Sequence, residues 1–544
     1  MGTGTSLTAR QLLGLLVDPG TFTSWDEPLG PEPAEAGYRA ALARARERTG
    51  TDEAVVTGTG RIGGRAVALV ASEFGFLGGS IGVATAERIT RAVERATAGR
   101  LPLVALPVSG GTRMQEGSAA FLCMLRITAA VQAHRAAGLP YLTYLRNPTM
   151  GGVFASWGTL GQLVFAEPGA RLGFLGPRVY EELRGVELPA DVQRAETLAA
   201  RGLVDAVVPP EELREVLRRA LAVLALGATT AEPRADGFDL GLDLDLGVGP
   251  EPTAASGAGS GFDSRSGSEP TAAEPPPAGP GTRPDAWEAV RSTRRPDRPG
   301  TRELLRRTAE ELVLLDSPGG RDGALVRALA VLHGRPALVI GQQRQEPDRE
   351  RPFTAADLRA VRRSARLAEQ LGLPLVTVVD TAGAELSAQA ELDGIAVEIA
   401  HCLTTLLALR TPVLAVLLGQ GSGGGALALL PADRVLAAER AWLAPLPPEG
   451  ASAIVHRDGA HAAELARSQG IGAYDLADVG LVDVVVPERP DAAEEPAAFC
   501  DRLGRAVGTA LGALTALPEA ERLAARAGRH RRLGDALASR TSLA

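Results

Sequence analysis

The sequence predicts an α/β protein of two tandem homologous domains, each alternating buried strands with helices. The first observation is duplication. Leu101-Pro102-Leu103-Val104 returns as Leu373-Pro374-Leu375-Val376, and Leu139-Pro140-Tyr141-Leu142 as Thr411-Pro412-Val413-Leu414, both 272 positions later. Gly202-Leu203-Val204-Asp205-Ala206-Val207-Val208-Pro209 returns as Gly480-Leu481-Val482-Asp483-Val484-Val485-Val486-Pro487. The second is the regular succession of short apolar runs and helical stretches in both halves. The third is a composition change between the halves, where Pro, Gly and Ser displace large apolar residues. These place domains at 1–227 and 285–544, joined by a disordered linker over 228–284.

In chain order, residues 8–50 read as a helical lead-in, with Gly50 in the position of a helix C-cap. Val55-Val56 and Ala66 to Ala71 read as short buried strands. Helix is expected from Ile81 to Ala98, strand from Leu103 to Pro107, helix from Ser118 to Ala137 and strand from Tyr141 to Leu145. After the linker, Trp287 opens the second half. There a strand at Ala337 to Ile340 leads to a helix from Ala355 to Leu371 and a strand from Leu375 to Val379. A helix from Leu392 to Leu409 and a strand from Val413 to Leu418 complete the pattern.

Composition excludes several chemistries. All 57 basic residues are arginine, so no Schiff base, no phosphate-loop lysine and no lysine carrying biotin, lipoate or pyridoxal phosphate is available. Any swinging-arm cofactor must arrive on another protein. A net charge of −8 over 544 residues gives no footprint for nucleic acid. Cys123, Cys402 and Cys500 are isolated, which argues against a disulfide framework or zinc site and for a reducing cytoplasm. The apolar run Leu12 to Val17 is too short for a signal-peptide core or membrane span.

Chemistry concentrates in glycine turns placed directly after buried strands. In the first half these are Ser109-Gly110-Gly111 and Met150-Gly151-Gly152; in the second, Thr381-Ala382-Gly383 and Gly421 to Gly425. Glycine lets backbone N–H groups approach a ligand, and a following helix adds partial positive charge, so such a turn can bind phosphate or stabilise an oxyanion. None of the six histidines sits in these turns, so a hydrolytic triad is unsupported. The acidic residues fall on helical stretches and read as solvated surface.

These residues closely resemble the carboxyltransferase component of bacterial acetyl-CoA carboxylase, with β and α subunits joined in one chain. The β-like part holds Gly78-Gly79-Ser80, Ser109 to Glu116, Pro148 to Val153 and Gly173-Phe174-Leu175-Gly176-Pro177-Arg178. The α-like part holds His333-Gly334-Arg335-Pro336, Asp380 to Gly383, Gly421 to Ala428 and Pro448-Glu449-Gly450. The resemblance implies two crotonase-like domains built from ββα units. It implies transfer of the carboxyl group from N1-carboxybiotin, held on a separate biotin carrier protein, to acetyl-CoA, giving malonyl-CoA. A biotin carboxylase partner and a homodimer or higher homo-oligomer are implied with it.

By carry-over, Gly151 and Gly152 stabilise the thioester enolate, while Gly110, Gly111, Arg113 and Gly383 contribute to substrate binding. Gly423, Gly424 and Gly425 hold the biotin ureido oxygen, with the register among them open. The four-cysteine zinc module with which the β family usually begins has no counterpart here, so no metal is expected. Ala382 stands where the α family has proline, and Glu385-Leu386-Ser387-Ala388 replaces its next turn. Alternatives are transfer to or decarboxylation of propionyl-CoA or another acyl-CoA, a Clp-type protease or hydratase on the same superfold, and a non-catalytic scaffold.

Overall fold

The computed structural model describes residues 7–28, 35–176, 180–181, 185–230, 283–315, 323–343 and 352–533. Two large sheets carry the two halves. In the first, β1 (Thr23–Ser24), β2 (Val55–Ile62), β3 (Arg65–Ser72), β4 (Leu103–Leu106), β5 (Tyr141–Leu145), β7 (Leu163–Ala166) and β9 (Ala206–Val207) lie side by side in that order. β1 to β3 are antiparallel, and every later neighbour is parallel. The second sheet repeats this plan: β10 (Ala309–Leu315), β11 (Leu325–Leu332), β12 (Arg335–Gln342), β13 (Leu375–Thr381), β14 (Val413–Ser422), β15 (Arg434–Ala438) and β17 (Val484–Val486). Again the first three are antiparallel and the rest parallel. The repeat predicts this duplication, and the family resemblance implies its ββα units.

Local chemistry explains the antiparallel start. Gly63 (φ 56°) and Gly64 (φ 78°) form a two-residue turn with both centres left-handed, the twist that matches a hairpin. His333 (φ 49°) and Gly334 (φ 71°) do the same between β11 and β12. The His333-Gly334 pair is thus a hairpin tip. Parallel strands follow through helices because they cannot be joined by a tight turn.

Three expected elements shift. The lead-in is two helices, α1 (Ala9–Leu16) and α2 (Ala36–Thr49), with β1 between them; Gly50 caps α2 at φ 65° as expected. The helix expected from Leu392 to Leu409 is broken into Ala388–Leu392 and Ile395–Ala408, because Gly394 adopts φ 73°. A Cβ there would lie 2.6 Å from Leu203 Cδ2, so first-half packing fixes the kink. β14 runs on to Ser422, because its end pairs with β16 (Trp442–Ala444). Helix Pro210–Thr230 continues past residue 227, and most of the expected linker, residues 231–282, lies outside the described residues.

The halves share one large apolar core. Helix α3 (Val83–Ala98) packs against α4 (Gly117–Ala136), which reaches across to Ile395–Ala408 and Glu519–Arg532 of the second half. That position explains why α4 is apolar nearly all round. Its start is seated tightly: Ser118 Oγ donates to the Leu443 carbonyl at 3.0 Å, and a Cβ on Gly117 would lie 2.4 Å from the Gln469 carbonyl oxygen. Among the described residues, no helix is long and apolar enough to cross a membrane.

His530, in helix Glu519–Arg532, is 2% exposed. Burial, reinforced by Arg529 and Arg526, pushes its pKa down to about 3 from 6.5. The neutral ring is the folded form, so this group's contribution is intact above pH 6.5 and falls as pH drops toward 3. The slope reaches about 1.4 kcal/mol per pH unit. In His530→Gln, the loss of unfolding free energy between pH 7 and pH 5 should shrink by about 2 kcal/mol, measured by urea titration. An unchanged difference would show that His530 takes up its proton in the fold as readily as in the unfolded chain.

Candidate active site

Each half builds its site from two loops that leave neighbouring parallel strands. After β4, Ser109 Oγ accepts from Gly111 N at 3.0 Å and donates to its carbonyl at 3.3 Å, closing the turn on itself. After β13, Thr381 Oγ1 makes the same two bonds to Gly383, at 3.1 and 3.0 Å. Gly111 (φ 118°) and Gly383 (φ 136°) are the left-handed corners of the two turns. Ala382 in place of proline therefore leaves this turn closed.

The second loop follows β5 or β14. Beyond β5 the chain forms β6 (Thr149–Met150), parallel to β8 (Leu172–Gly173), and opens α5 (Gly151–Phe154). Beyond β14 it opens helix Gly423–Leu427. Gly151 has φ 60° and Gly423 has φ 62°, each at the first position of its helix. This fixes the register that the repeat leaves open. Gly151 corresponds to Gly423 and Gly152 to Gly424, while Gly425 sits where the first half has Val153. Among the described residues, the N–H groups of Gly152 and Gly424 donate to no protein acceptor. Each lies in the first turn of its helix, where donors have no intrahelical partner.

A Cβ added at these glycines has little room. At Gly152 it would stand 3.1 Å from Thr112 Oγ1 and 3.2 Å from Met124 Cγ. At Gly424 it would stand 2.9 Å from Ile399 Cδ1 and 3.0 Å from Phe174 Cε2. At Gly425 it would meet the Ala384 backbone nitrogen at 2.9 Å. Bare backbone donors in glycine-lined cradles can hold an oxyanion.

Two family descriptions cover the chain: a carboxyl transferase domain over residues 3–198, and an acetyl co-enzyme A carboxylase carboxyltransferase-like region over 283–534. A probable biotin-dependent acyl-coenzyme A carboxylase beta3 subunit of Mycobacterium bovis is 53% identical over 532 residues, covering 97% of this chain and 99% of that protein. The acetyl-coenzyme A carboxylase carboxyl transferase subunits beta/alpha of Salinispora arenicola is 40% identical over 548 residues, covering 98% and 92%. The chain belongs to the carboxyltransferases of biotin-dependent acyl-CoA carboxylases.

In this carboxyltransferase, Gly110 and Gly111 shape the first loop and do not donate freely. Gly110 N donates to the Gly78 carbonyl at 2.8 Å, and the Gly111 Cα lies 3.3 Å from the position of a Cβ on Gly151.

Arg113 has no open face to offer a substrate. It is 1% exposed, pairs with Glu53 at 2.6 Å, donates to the Ser80 carbonyl at 2.9 Å and to the Tyr38 hydroxyl at 3.2 Å, and lies 3.4 Å from Glu116. Burial opposes its charge, but Glu53 and Glu116 outweigh that and raise its pKa above the usual arginine range. Arg113 thus positions the loop against α2 and α3. Arg113→Met would strand Glu53, itself 2% exposed. The expected loss is about 3–5 kcal/mol of stability, read from denaturant unfolding; a change under about 1 kcal/mol would show that the pair is solvated.

Residues to which the sequence assigned no role also meet here. Phe174 and Leu175 donate their N–H groups to Glu391 at 3.0 Å, and Gln193 Nε2 donates to it at 2.8 Å. Desolvation pushes the Glu391 pKa up, while these three donors oppose it. Glu391 and Glu53 both break the expectation that acidic residues mark solvated surface. No periodicity distinguishes a helix carboxylate aimed at another domain from one aimed at water.

Proposed function

We propose that this chain moves the carboxyl group from N1-carboxybiotin, on a separate carrier protein, to acetyl-CoA, forming malonyl-CoA. The observation that carries this reading is the matched pair of cradles, Gly151-Gly152 and Gly423-Gly424, each opening a helix at a left-handed glycine. The first half would take the acyl-CoA and the second the carboxybiotin.

Gly423, Gly424 and Gly425 form a cradle that a Cβ would fill, which suits a flat ureido ring. When bound, carboxybiotin supplies the carboxyl group and, after its release, a ureido nitrogen base. The Gly424 N–H holds the ureido oxygen. The Gly152 N–H holds the thioester oxygen as charge builds on it, favouring loss of the α-proton and attack on the released carboxyl carbon. Gly110, Gly111 and Gly383 keep the two loops in shape. A biotin carboxylase would recharge the carrier, and a homo-oligomer would carry the sites.

A second acyl group is favoured by one observation: the 53% identical relative is named for acyl-coenzyme A without a chain length. Steady-state carboxylation of acetyl-, propionyl- and butyryl-CoA, with carboxylated carrier protein, tests both readings. Acetyl-CoA should give the largest kcat/KM. A larger value for propionyl- or butyryl-CoA would replace the acetyl assignment, and no transfer to any of them would remove the activity.

A further inference from the structure

We propose that Phe174, clamped by Glu391, is the wall between the two half-sites and limits the size of the acyl group. This inference rests on the carboxyl-transfer reading above. Phe174 is partly exposed and touches both cradles. Its carbonyl oxygen lies 4.0 Å from the position of a Cβ on Gly151. Its ring atoms Cε2 and Cζ lie 3.0 and 3.1 Å from the corresponding position on Gly424. One residue therefore spans the two turns, its backbone carbonyl beside the turn assigned to the thioester and its ring against the turn assigned to carboxybiotin. A thioester whose α-carbon must face the second turn carries any extra methylene into the space this ring fills.

The ring is held where it is from the other half of the protein. Glu391 stands at the end of helix Ala388–Leu392 and accepts from Phe174 N, Leu175 N and Gln193 Nε2. Gln193 is 3% exposed and also donates to the Leu175 carbonyl at 2.8 Å. Gly173 is needed for that contact, since a Cβ there would stand 2.4 Å from Gln193 Nε2. Consecutive N–H groups on one carboxylate fix the backbone of Phe174, the point from which the ring projects. Glu391 is thus a positioning residue acting through Phe174, and Phe174 is the specificity residue.

The test uses the full chain with its carboxylated carrier and the three acyl-CoAs, in wild type, Phe174→Ala, Phe174→Leu and Glu391→Gln. Removing a wall that excludes about one methylene should raise the butyryl-to-acetyl ratio of kcat/KM at least about tenfold in Phe174→Ala, with a smaller rise in Phe174→Leu. Glu391→Gln presents an amide N–H where a donor already points, so the ratio should move in the same direction by about threefold or more. Calorimetric Kd values for acetyl- and butyryl-CoA, measured without carrier, should change in the same order.

A uniform fall across all three substrates in Phe174→Ala, with the ratio within about twofold of wild type, would overturn the wall. The same uniform fall confined to Glu391→Gln would overturn the clamp. Should Phe174→Ala not fold, the Phe174→Leu ratio decides alone. Wild type inactive on every acyl-CoA would remove the underlying reading, and this inference with it.

Discussion

Replacing Gly152 with valine should lower kcat/KM for carboxyl transfer about 100- to 1000-fold, the usual cost of one oxyanion donor, about 3–4 kcal/mol. The expectation follows from packing. The Cβ alone would stand 3.1 Å from Thr112 Oγ1 and 3.2 Å from Met124 Cγ, and the two γ-methyls would add to that crowding. The helix start must then rotate, turning its free N–H away from the thioester oxygen. Binding of CoA, spread over nucleotide and pantetheine, should weaken far less. Calorimetry with acetyl-CoA and steady-state kinetics on soluble, folded protein separate the two effects. Near-normal turnover would mean that the Gly152 N–H is not the enolate donor.

Gly424→Val should do comparable damage on the other side. Its Cβ meets Ile399 Cδ1 at 2.9 Å and the Phe174 ring at 3.0 Å. Ile399 is fully buried and has little freedom to withdraw, and Phe174 is partly buried against the same core. The expected result is decarboxylation of free carboxybiotin and reverse transfer to biocytin slowed about 100-fold or more, with the Kd for acetyl-CoA little changed. Equal loss of acetyl-CoA binding would instead show that the second turn shapes the thioester side.

Much of this protein was legible in its sequence. The fixed 272-residue offset predicted two copies of one fold, and the turns at Ser109–Gly111 and Thr381–Gly383 proved to be the same hydrogen-bonded device. Glycine turns after buried strands marked the cradles because glycine is tied there to backbone geometry, which is local. The register within Gly423-Gly424-Gly425 was not legible, since three glycines in a row carry no side-chain signal. The left-handed φ of Gly423, matching Gly151, settled it.

Arg113 shows the opposite case. The family resemblance assigned it to substrate binding, but Glu53, 60 residues away, takes its guanidinium into the interior. Sequence by itself determined the duplication, the alternation of strand and helix, and the glycine turns, because each is written in short-range pattern. Tertiary structure alone decided which charges are buried, where Ile395–Ala408 begins, and that Glu391 of one half grips Phe174 of the other. Those choices depend on contacts between segments far apart in the chain, and a residue's type does not encode which distant partner it will meet.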